Sequence, residues 1–309
     1  MSAAGSVCVF APVTLLTITV EATPDGEAEL HVHAGGQGVW IARMILALGA
    51  DVVLVTPLGG ETGRVAGHLL ADEGIPLRTV GTAQATAAWI QDRRDGERST
   101  YWESSPRALG RHELDELYSL ALAECLRTGT AVIAGTHEAD EVLPDETFVR
   151  LAADLAANDV HVVADVTGAQ LDAVVERGAP LVKVSADDLV RDGHAASDEQ
   201  SELVAAASAL AAGGATVVVS RSSAGAIALR DGELHLAAAP ELEAVDTRGA
   251  GDSMTAALAV AVSRGLGWDD SLRLAAAAGA VNVTRHGSGS GRRETIEAIA
   301  RRVDVTLLR

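Results

Sequence analysis

Short apolar runs alternate with longer stretches of helical periodicity along most of this 309-residue chain. The runs are rich in β-branched residues, as buried strands are, and the stretches between them repeat apolar residues at helical spacing. The predicted strands are residues 7–10, 52–56, 131–134, 160–164, 181–184 and 216–220. The predicted helices are residues 64–73, 113–126, 145–157 and 202–212. This alternation predicts an α/β fold in which a mainly parallel sheet is sandwiched by helices.

Two pairs of segments instead show alternation of polar and apolar residues. Residues 15–20 pair with 29–33, and residues 87–91 pair with 99–103, each pair across a turn that contains glycine. Such alternation is typical of strands with one face in water. The pattern predicts two hairpins that form a small sheet beside the main one.

The chain shows no internal repeat, low-complexity tract or linker between domains. Residues 1–309 are therefore predicted to form a single domain. Segments at about residues 14–33 and 86–103 are predicted to contribute the small sheet.

Composition mainly excludes partners and compartments. The net charge of −19 argues against nucleic acid or an anionic membrane as a partner. Cys8 and Cys125 are the only cysteines and have neither a disulfide nor a metal-site spacing, which is typical of a reducing cytoplasm. The first residues lack the basic region of a signal peptide, and no apolar run reaches membrane-spanning length. We therefore expect a cytoplasmic protein whose partner is a small molecule.

A glycine-rich turn precedes a strong helical pattern near the C-terminus. Residues 246–252 read Asp-Thr-Arg-Gly-Ala-Gly-Asp, and apolar residues then recur at helical spacing over residues 254–262. The first N–H groups of a helix lack intrahelical partners and lie at the positive end of the helix dipole. The turn is therefore a predicted site for an anion such as a phosphate.

An aspartate beside this anion site suits the role of a general base. Asp252 would take a proton from a hydroxyl while the backbone N–H groups of Gly249, Ala250 and Gly251 hold an incoming phosphoryl group. The alternative is a glycine-rich turn whose aspartate merely caps its helix. The turn alone is compatible with both interpretations.

The whole string resembles the D-T-x-G-A-G-D motif of the ribokinase-like (PfkB) carbohydrate kinases. Its continuation through Ser253 and Met254 is similar to the 1-phosphofructokinase and tagatose-6-phosphate kinase branch. Four further segments match the family patterns G-G-K-G-x-N-x-A-R, L-G-G-x-x-G, D-x-S-G and K-P-N-x-x-E-L, respectively residues 35–43, 57–63, 165–168 and 181–189.

This resemblance covers nearly the whole chain and implies a fold, an activity and an assembly. The implied fold is a ribokinase-like three-layer α/β/α domain with a small β-sheet lid over the sugar site. The implied activity is transfer of the γ-phosphoryl group of ATP, with Mg²⁺, to a hydroxyl of a sugar or sugar-like acceptor. The lid often mediates dimerisation in this family, which implies a homodimer.

The resemblance also assigns a nucleotide side. Lys183, the only lysine, matches the lysine that approaches the nucleotide phosphates, and Ser185 and Asp188 match the asparagine and glutamate that organise Mg²⁺. Because Ser185 lacks an amide and aspartate is shorter than glutamate, Mg²⁺ binding is expected to be altered. Asp188 equally suits a plain helix cap. Asp246 matches an aspartate near a monovalent-cation site, which implies K⁺. The remaining implied ATP-binding residues are Ser220, Ser222, Gly225 and Asn282.

On the acceptor side the chain departs from the family pattern. The implied substrate-binding residues are Gly35, Gly36, Gln37, Gly38, Trp40, Trp89 and Thr136, together with Asp252. Leucine at position 15 replaces an aspartate of the motif N-P-x-x-D, Gln37 replaces a lysine, Trp40 replaces an asparagine, and Ala87 replaces the arginine of T-R-x-N. The loop after Gly135 also differs and introduces His137 and Glu138.

These changes remove hydrogen-bond donors and positive charge that would hold a phosphorylated sugar. They also add tryptophans to a chain that is only 3% aromatic, and Trp102 lies in a predicted lid strand as well. A pocket for a flatter or more apolar alcohol is one interpretation, and tryptophans that pack the lid or form a dimer interface are the other. Arg93, Arg94 and Arg98 fit exposed charge on a turn better than phosphate binding.

The sequence therefore favours an ATP-dependent small-molecule kinase with Asp252 as the base. Two alternatives remain within the same fold: a catalytically silent nucleotide- or metabolite-binding protein, and a standard 1-phosphofructokinase or tagatose-6-phosphate kinase. A dinucleotide-dependent oxidoreductase is disfavoured because the glycines near Gly36 lack the third position of its fingerprint. His31 and His33 have no Cys or Glu at metal-ligand spacing, so that a zinc site is not predicted.

Overall fold

A computed structural model describes residues 5–96, 99–135, 142–178, 181–285 and 287–308 of the chain. Its strands are β1 (Ser6–Phe10), β2 (Leu15–Ala22), β3 (Ala28–Gly35), β4 (Asp51–Gly59), β5 (Leu77–Thr82), β6 (Ala87–Asp92), β7 (Ser99–Glu103), β8 (Thr130–Gly135), β9 (His161–Val166), β10 (Leu181–Ser185), β11 (Thr216–Ser220), β12 (Ala226–Arg230), β13 (Glu233–Ala238) and β14 (Asp304–Leu308). Its helices are α1 (Gln37–Ala47), α2 (Gly60–Asp72), α3 (Arg111–Thr128), α4 (Asp145–Ala156), α5 (Gly168–Gly178), α6 (Ala186–Arg191), α7 (Gln200–Ala211), α8 (Ala250–Ser263), α9 (Trp268–Asn282) and α10 (Arg293–Ala300).

Ten strands form the main sheet, in the order β14-β13-β12-β11-β10-β9-β8-β1-β4-β5. Every pair from β11 to β5 is parallel, and the three pairs from β11 to β14 are antiparallel. The prediction of a mainly parallel sheet is confirmed. The antiparallel strands β12, β13 and β14 at one edge, and β5 at the other, were not predicted.

The small second sheet has the strand order β3-β2-β6-β7. It contains the two predicted hairpins, β2 with β3 and β6 with β7, each antiparallel. The hairpins join through β2 and β6, which run parallel to each other. This arrangement confirms the prediction of a separate small sheet made from these two parts of the chain.

The core lies on both faces of the main sheet, because successive side chains of a strand point to opposite faces. In β1, Val7 and Val9 pack into the layer that contains α1, α8 and α9, whereas Cys8 and Phe10 pack into the layer of α3 and α4. Phe10 meets Phe148 of α4 edge to face, with ring centroids 6.1 Å apart. A strand that is buried on both faces reads as a continuous apolar run, which is why β1 was predictable.

Helix α8 lies deep in one layer, and its residues from Ser253 to Ala261 are buried. Alanine and glycine recur along α8 and α9 and allow these two helices to pack closely against each other. This burial fixes the start of α8 relative to the sheet. Within the described ranges, none of the helices combines the length and apolar character that a membrane-spanning segment needs.

Candidate active site

A cavity of about 180 Å³ opens where the carboxyl ends of β1 and β8 meet the first turn of α8 and the small sheet. Ligands of α/β folds commonly bind at this edge of the sheet. Six of the predicted site residues line the cavity: Gly36, Gln37, Gly38, Trp40, Trp89 and Asp252. The lining also contains Leu15, which the sequence placed at an acceptor-side position, and five residues that sequence reasoning did not assign to the site: Ala11, Pro12, Val13, Ala134 and Gly135.

Glycines bring α1 close to the end of β1. A Cβ atom at position 38 would lie 2.2 Å from the Cβ of Ala11, so that only glycine fits there. Gly36 has a φ of +104°, which side chains rarely adopt, and a Cβ there would lie 3.0 Å from the carbonyl of Val13. The glycines therefore shape the cavity through the backbone. Gly35, the last residue of β3, packs beside Trp40 and is not part of the lining.

The glycine-rich turn of the predicted anion site leads directly into α8. Gly249 is the residue before the helix and has a left-handed backbone with a φ of +74°. Its carbonyl accepts hydrogen bonds from the backbone and hydroxyl of Ser253, at 2.9 and 2.7 Å. The N–H groups of Ala250, Gly251 and Asp252 precede the first intrahelical hydrogen bond and carry the positive end of the helix dipole.

Asp252 is the titratable group of this turn, and its environment favours the neutral form. Burial, together with the negative charge of Asp165, raises the pKa of Asp252 to about 7, although the positive charge of Lys183 opposes the shift. A general base works best when its pKa is close to the pH at which the protein operates. The carboxyl group therefore has the proton affinity that abstraction from a hydroxyl needs.

Lys183 lies beneath the turn in a buried network. Its ammonium group donates hydrogen bonds to both carboxylate oxygens of Asp165, at 3.2 and 3.4 Å, and Thr255 donates to the same carboxylate at 2.5 Å. Burial lowers the pKa of Lys183, but the charges of Asp165 and Asp252 outweigh it, so that the pKa is raised. A Cβ on Gly251 would lie 2.5 Å from the ammonium nitrogen, which places the lysine against the backbone of the anion site.

Sequence reasoning missed Asp165 and Thr255 as parts of the site. The only signal for Asp165 was the similarity of residues 165–168 to D-x-S-G at a strand end. Thr255 gave no signal, because its partner is 90 residues away along the chain. Both side chains are buried, and Thr255 is fully so.

Ser185 and Asp188 form a cap at the start of α6. The hydroxyl of Ser185 accepts a hydrogen bond from the backbone of Asp188 at 3.0 Å and donates one to its carboxylate at 2.5 Å. Arg191 also contacts this carboxylate, at 2.6 Å. Burial opposes ionisation, but the hydrogen bonds from Ser185 and Arg191 prevail and lower the pKa of Asp188.

An ionised carboxylate is a suitable oxygen ligand for Mg²⁺, which in phosphate-binding sites is commonly held by one or two carboxylates plus the phosphates. Among the described residues there is no group of three or more His, Cys, Asp or Glu side chains placed to bind a metal. Asp188 therefore fits a metal that is held largely by phosphate oxygens. The exposed guanidinium of Arg191 occupies one carboxylate oxygen and would compete with the ion.

The predicted adenine-side residues lie at the end of β11. Ser220 donates a hydrogen bond to the carbonyl of Val184 at 3.5 Å, and Ser222 begins a short 3₁₀ turn with a positive φ of 47°. Gly225 follows with a φ of +80°, where a Cβ would lie 2.2 Å from the carbonyl of Ala237. Gly225 is therefore required by packing against β13, whatever ligand lies beside it.

Asn282 joins two loops rather than facing a cavity. Its side chain is 1% exposed and donates to the carbonyl of Arg248 at 2.7 Å. Its amide oxygen accepts from the backbone of Gly289 and Ser290, at 2.9 and 3.3 Å. A Cβ on Gly289 would lie 2.3 Å from the carbonyl of Trp40, so that the same loop also packs against the acceptor side.

Asp246 is paired with Arg248 two residues later. The carboxylate accepts hydrogen bonds from the backbone and guanidinium of Arg248, the shortest side-chain contact being 3.0 Å. This ion pair lies in the loop that leads into Gly249. The guanidinium thus already occupies the carboxylate that the family resemblance assigns to a monovalent cation.

Several lid residues stay outside the cavity. Trp102 lies in β7 of the small sheet, as predicted, where it pairs with Ile90, is 49% exposed and does not line the cavity. His31 and His33 stack in parallel with ring centroids 6.0 Å apart, away from the lining. Thr136, His137, Glu138 and Arg98 lie outside the described residues.

The site and fold define a class of protein, and comparison with known families agrees. The profile of the pfkB family carbohydrate kinases matches residues 6–295, and the chain belongs to this family. It is accordingly a phosphotransferase with an alcohol group as acceptor.

Relatives of known name span most of the chain. The ATP-dependent 6-phosphofructokinase isozyme 2 of Mycobacterium tuberculosis is 28% identical over 270 residues, which cover 85% of this chain and 78% of the relative. The 1-phosphofructokinase of Rhodobacter capsulatus is 27% identical over 285 residues, which cover 91% of this chain and 89% of the relative.

Solved structures confirm the ribokinase-like fold. Phosphofructokinase-2 from Escherichia coli, in complex with potassium, superposes with a TM-score of 0.83 at 22% identity, over 96% of this chain and 99% of that chain. The ribokinase of Arabidopsis thaliana, complexed with ribose and ATP, superposes with a TM-score of 0.74 at 22% identity, over 97% of this chain and 99% of that chain.

Proposed function

We propose that the protein transfers the γ-phosphoryl group of ATP to a hydroxyl of a sugar or sugar-like acceptor, with Asp252 as the general base. The observation that carries this proposal is the position of Asp252. Its carboxyl group lines the cavity, belongs to the first turn of α8 and has a pKa raised to about 7 by burial and by Asp165. The Asp252 carboxyl group therefore lies between the proposed acceptor cavity and the proposed anion site.

In the proposed reaction the acceptor hydroxyl gives its proton to Asp252 as its oxygen bonds to the γ-phosphorus, and the bond from that phosphorus to the β-phosphate oxygen breaks to release ADP. The N–H groups of Gly249, Ala250 and Gly251 donate to the phosphoryl oxygens as charge develops on them. Lys183, fixed by Asp165 against Gly251, adds positive charge beneath the same point. These fixed groups need no rearrangement during the reaction, which is how electrostatic stabilisation lowers a barrier.

The nucleotide would extend from the start of α8 toward the end of β11, where Ser220, Ser222 and Gly225 lie. Asp188, with Ser185 orienting it, would hold Mg²⁺ together with the phosphates. The ion would neutralise charge on the transferring group when bound. K⁺ at Asp246 is proposed by analogy with the potassium-containing phosphofructokinase-2 structure, and it requires Arg248 to release the carboxylate.

We expect Asn282→Ala to weaken MgATP binding by about tenfold to a hundredfold, because it leaves buried backbone groups without their partners. The hydrogen bonds to Arg248, Gly289 and Ser290 would be lost, and with them the fixed geometry of the loop before Gly249. Isothermal titration calorimetry with MgATP measures the effect.

Ser271→Ala is the matched control for Asn282→Ala. Ser271 is a buried residue of the same helix, α9, and donates to the carbonyl of Gly267 at 2.9 Å, at the opposite end from Asn282. It should lower stability without changing nucleotide affinity. Equal weakening of MgATP binding by both variants would show that Asn282 acts only through stability.

A homodimer formed through the small sheet is part of the proposal. Leu30 of β3, and Tyr101 and Trp102 of β7, are large side chains exposed on this sheet by 62%, 84% and 49%. Large apolar side chains that are exposed on one small sheet favour an interface there. Analytical ultracentrifugation would give the mass of the assembly.

A catalytically silent binding protein on the same fold is the second candidate function. The residues that favour it are Ser185 and Asp188, because Arg191 already engages the carboxylate expected to hold the metal. A standard sugar-phosphate kinase, such as the named relatives, is the third. Measured turnover of different acceptors would distinguish these two candidates from the proposed function.

Acceptor-dependent ADP release tests the proposed function. The protein is supplied with MgATP and pools of sugars, sugar phosphates, nucleosides and polyols, and release above the acceptor-free rate is measured. The proposal predicts at least one active pool. Silence of every pool, with MgATP binding intact by calorimetry, would favour the silent binding protein.

A further inference from the structure

The described walls of the acceptor cavity are almost wholly apolar. Besides backbone, they consist of small or aliphatic side chains together with the indoles of Trp40 and Trp89. Among the described residues in the lining, none is Lys, Arg or His. The polar side chains that reach the cavity are Gln37 and Asp252.

We infer that the acceptor is an uncharged alcohol of single-ring size that donates a second hydrogen bond to the side-chain oxygen of Gln37, and that sugar phosphates are excluded. This inference rests on the proposed function, because it concerns the cavity that Asp252 lines. It names a class of acceptor and a residue that selects it. Four observations carry it.

The orientation of the Gln37 amide comes first. Its nitrogen donates to the backbone carbonyl of Asp165 at 3.2 Å, and a carbonyl can only accept, so that the orientation of the amide is fixed. The amide oxygen then faces the other way. It is buried, and no donor among the described residues reaches it. A buried acceptor without a partner is costly, and a ligand hydroxyl or N–H that reaches this oxygen after a small movement of the Gln37 side chain removes that cost.

The polarity of the two side chains comes second. The oxygen of Gln37 accepts hydrogen bonds, and so does the carboxylate of Asp252 once it is ionised. A hydroxylated ligand can donate to both. The phosphate group of a phosphate monoester brings only negative charge and acceptor oxygens to the same walls.

The arginines come third, because Arg43, Arg93 and Arg94 each have a carboxylate partner. Arg43 pairs with Glu73 at 2.5 Å and also donates to a backbone carbonyl. Arg93 pairs with Glu21 at 3.5 Å, and Arg94 with Asp92 at 2.6 Å.

Arg107 lines a smaller neighbouring cavity that shares Pro12 and Val13 with the acceptor cavity. Arg107 is exposed, and it is the described cation that lines this neighbouring cavity. Arg107→Ala is therefore one of the variants that test the inference.

The size and aromatic walls come last. A volume of about 180 Å³ lies below the range of about 300–1,000 Å³ that is usual for drug-sized ligands. Such a cavity takes one ring. The indoles of Trp40 and Trp89 give this cavity large aromatic side chains, which suit the apolar face of a sugar ring or another flat ring.

The test compares kcat/KM for two groups of acceptors by ADP release with saturating MgATP. D-Fructose, D-ribose and myo-inositol are uncharged single-ring acceptors, and D-fructose 1-phosphate, D-fructose 6-phosphate and D-tagatose 6-phosphate are charged. The expected result is that the best uncharged acceptor exceeds the best phosphorylated one by at least about tenfold. A smaller ratio, or turnover that favours a sugar phosphate, would overturn the inference and leave the proposed kinase intact. Silence of both groups would overturn the proposed function, and this inference with it.

Variants of Gln37 test its role separately. Gln37→Met keeps the length and removes the amide, and should lower kcat/KM for the best uncharged acceptor by about tenfold to a hundredfold. Deoxy analogues of that acceptor identify the hydroxyl that donates to Gln37. For the wild type, one analogue should have a much lower kcat/KM than the parent compound. For Gln37→Met, the same analogue and the parent compound should have similar kcat/KM values. If every deoxy analogue loses the same factor in both proteins, Gln37 does not receive a hydrogen bond.

Two charge variants complete the test. Gln37→Lys should shift the ratio of kcat/KM at least about tenfold toward sugar phosphates, because it adds the missing positive charge. Arg107→Ala should leave the ratio unchanged. If the wild type uses sugar phosphates well and Arg107→Ala abolishes that turnover, the phosphate binds in the neighbouring cavity. This result would contradict the inference. Thermal melting checks that each variant is folded.

Discussion

Asp252→Asn is expected to lower kcat by about a hundredfold to ten-thousandfold while MgATP binding stays within about threefold of the wild-type value. Asparagine has nearly the same shape, so the N–H groups at the start of α8 remain in place. It cannot accept the proton of the acceptor hydroxyl at any working pH. Turnover by ADP release and nucleotide affinity by calorimetry separate the two effects.

The same variant should be more stable than the wild type at alkaline pH. Burial and Asp165 raise the pKa of Asp252 from 3.8 to about 7, so between these values the folded protein keeps a proton that the unfolded chain releases. The favourable contribution of this proton to folding declines as the pH rises and is lost above about 7. Asparagine is neutral throughout, and we expect a gain on the order of 1–3 kcal/mol at pH 8 that shrinks toward pH 5.

Asp270→Asn is the control, because Asp270 is an exposed aspartate in the first turn of α9, paired with Arg273. It should leave both turnover and the pH dependence of stability close to those of the wild type. Near-normal turnover of Asp252→Asn would contradict the assignment of the base. Loss of turnover without a stability gain at pH 8 would contradict the raised pKa.

Lys183→Met is expected to lower the free energy of unfolding by about 3–5 kcal/mol. Its ammonium is the cation that faces Asp165 at 3.2 Å, and both side chains are buried, with relative exposures of 6% and 5%. Removing the lysine leaves a buried carboxylate with only the hydroxyl of Thr255 as a side-chain donor among the described residues. Urea unfolding at pH 7 measures the loss.

Adding Asp165→Asn to Lys183→Met should restore much of this stability, because a neutral pair no longer leaves a buried charge uncompensated. Turnover of the double variant should nevertheless stay low, since the positive charge beneath Gly251 is gone. If the destabilising effects of the two substitutions are additive, the pairing of Lys183 with Asp165 is contradicted. Recovery of turnover along with stability would show that Lys183 acts on structure alone.

The sequence predicted the interior of the main sheet and failed at its edges. Residues 7–10 and 131–134 read as continuous apolar runs because β1 and β8 are buried on both faces. In β5 only Val80 is buried, and in β14 no residue is, so neither strand carries a clear pattern of apolar residues. Edge strands are specified mainly by the neighbour to which they bond, which local sequence does not show.

In the candidate site, too, the sequence predicted some features and not others. The turn from Gly249 to Asp252 was predictable because its glycines, its aspartate and the following helix are adjacent in sequence. The hydrogen bond of Gln37 to the carbonyl of Asp165 spans 128 residues, and that of Thr255 to the Asp165 carboxylate spans 90. Contacts at such separations depend on how the sheet and helices pack, so the unpaired oxygen of Gln37 emerges only from the folded structure.

The pH dependence of kcat/KM between pH 5.5 and 9 tests the central claim most directly, since this parameter reports the essential groups of the free protein. With the best acceptor from the pools, kcat/KM should rise to a plateau with an inflection near pH 7, because Asp252 must lose its proton to act as the base. The residual activity of Asp252→Asn, measured with the same nucleotide, should lack this inflection. A wild-type profile that is flat or falls through pH 7, or the same inflection in both proteins, would contradict the role of Asp252 as the base.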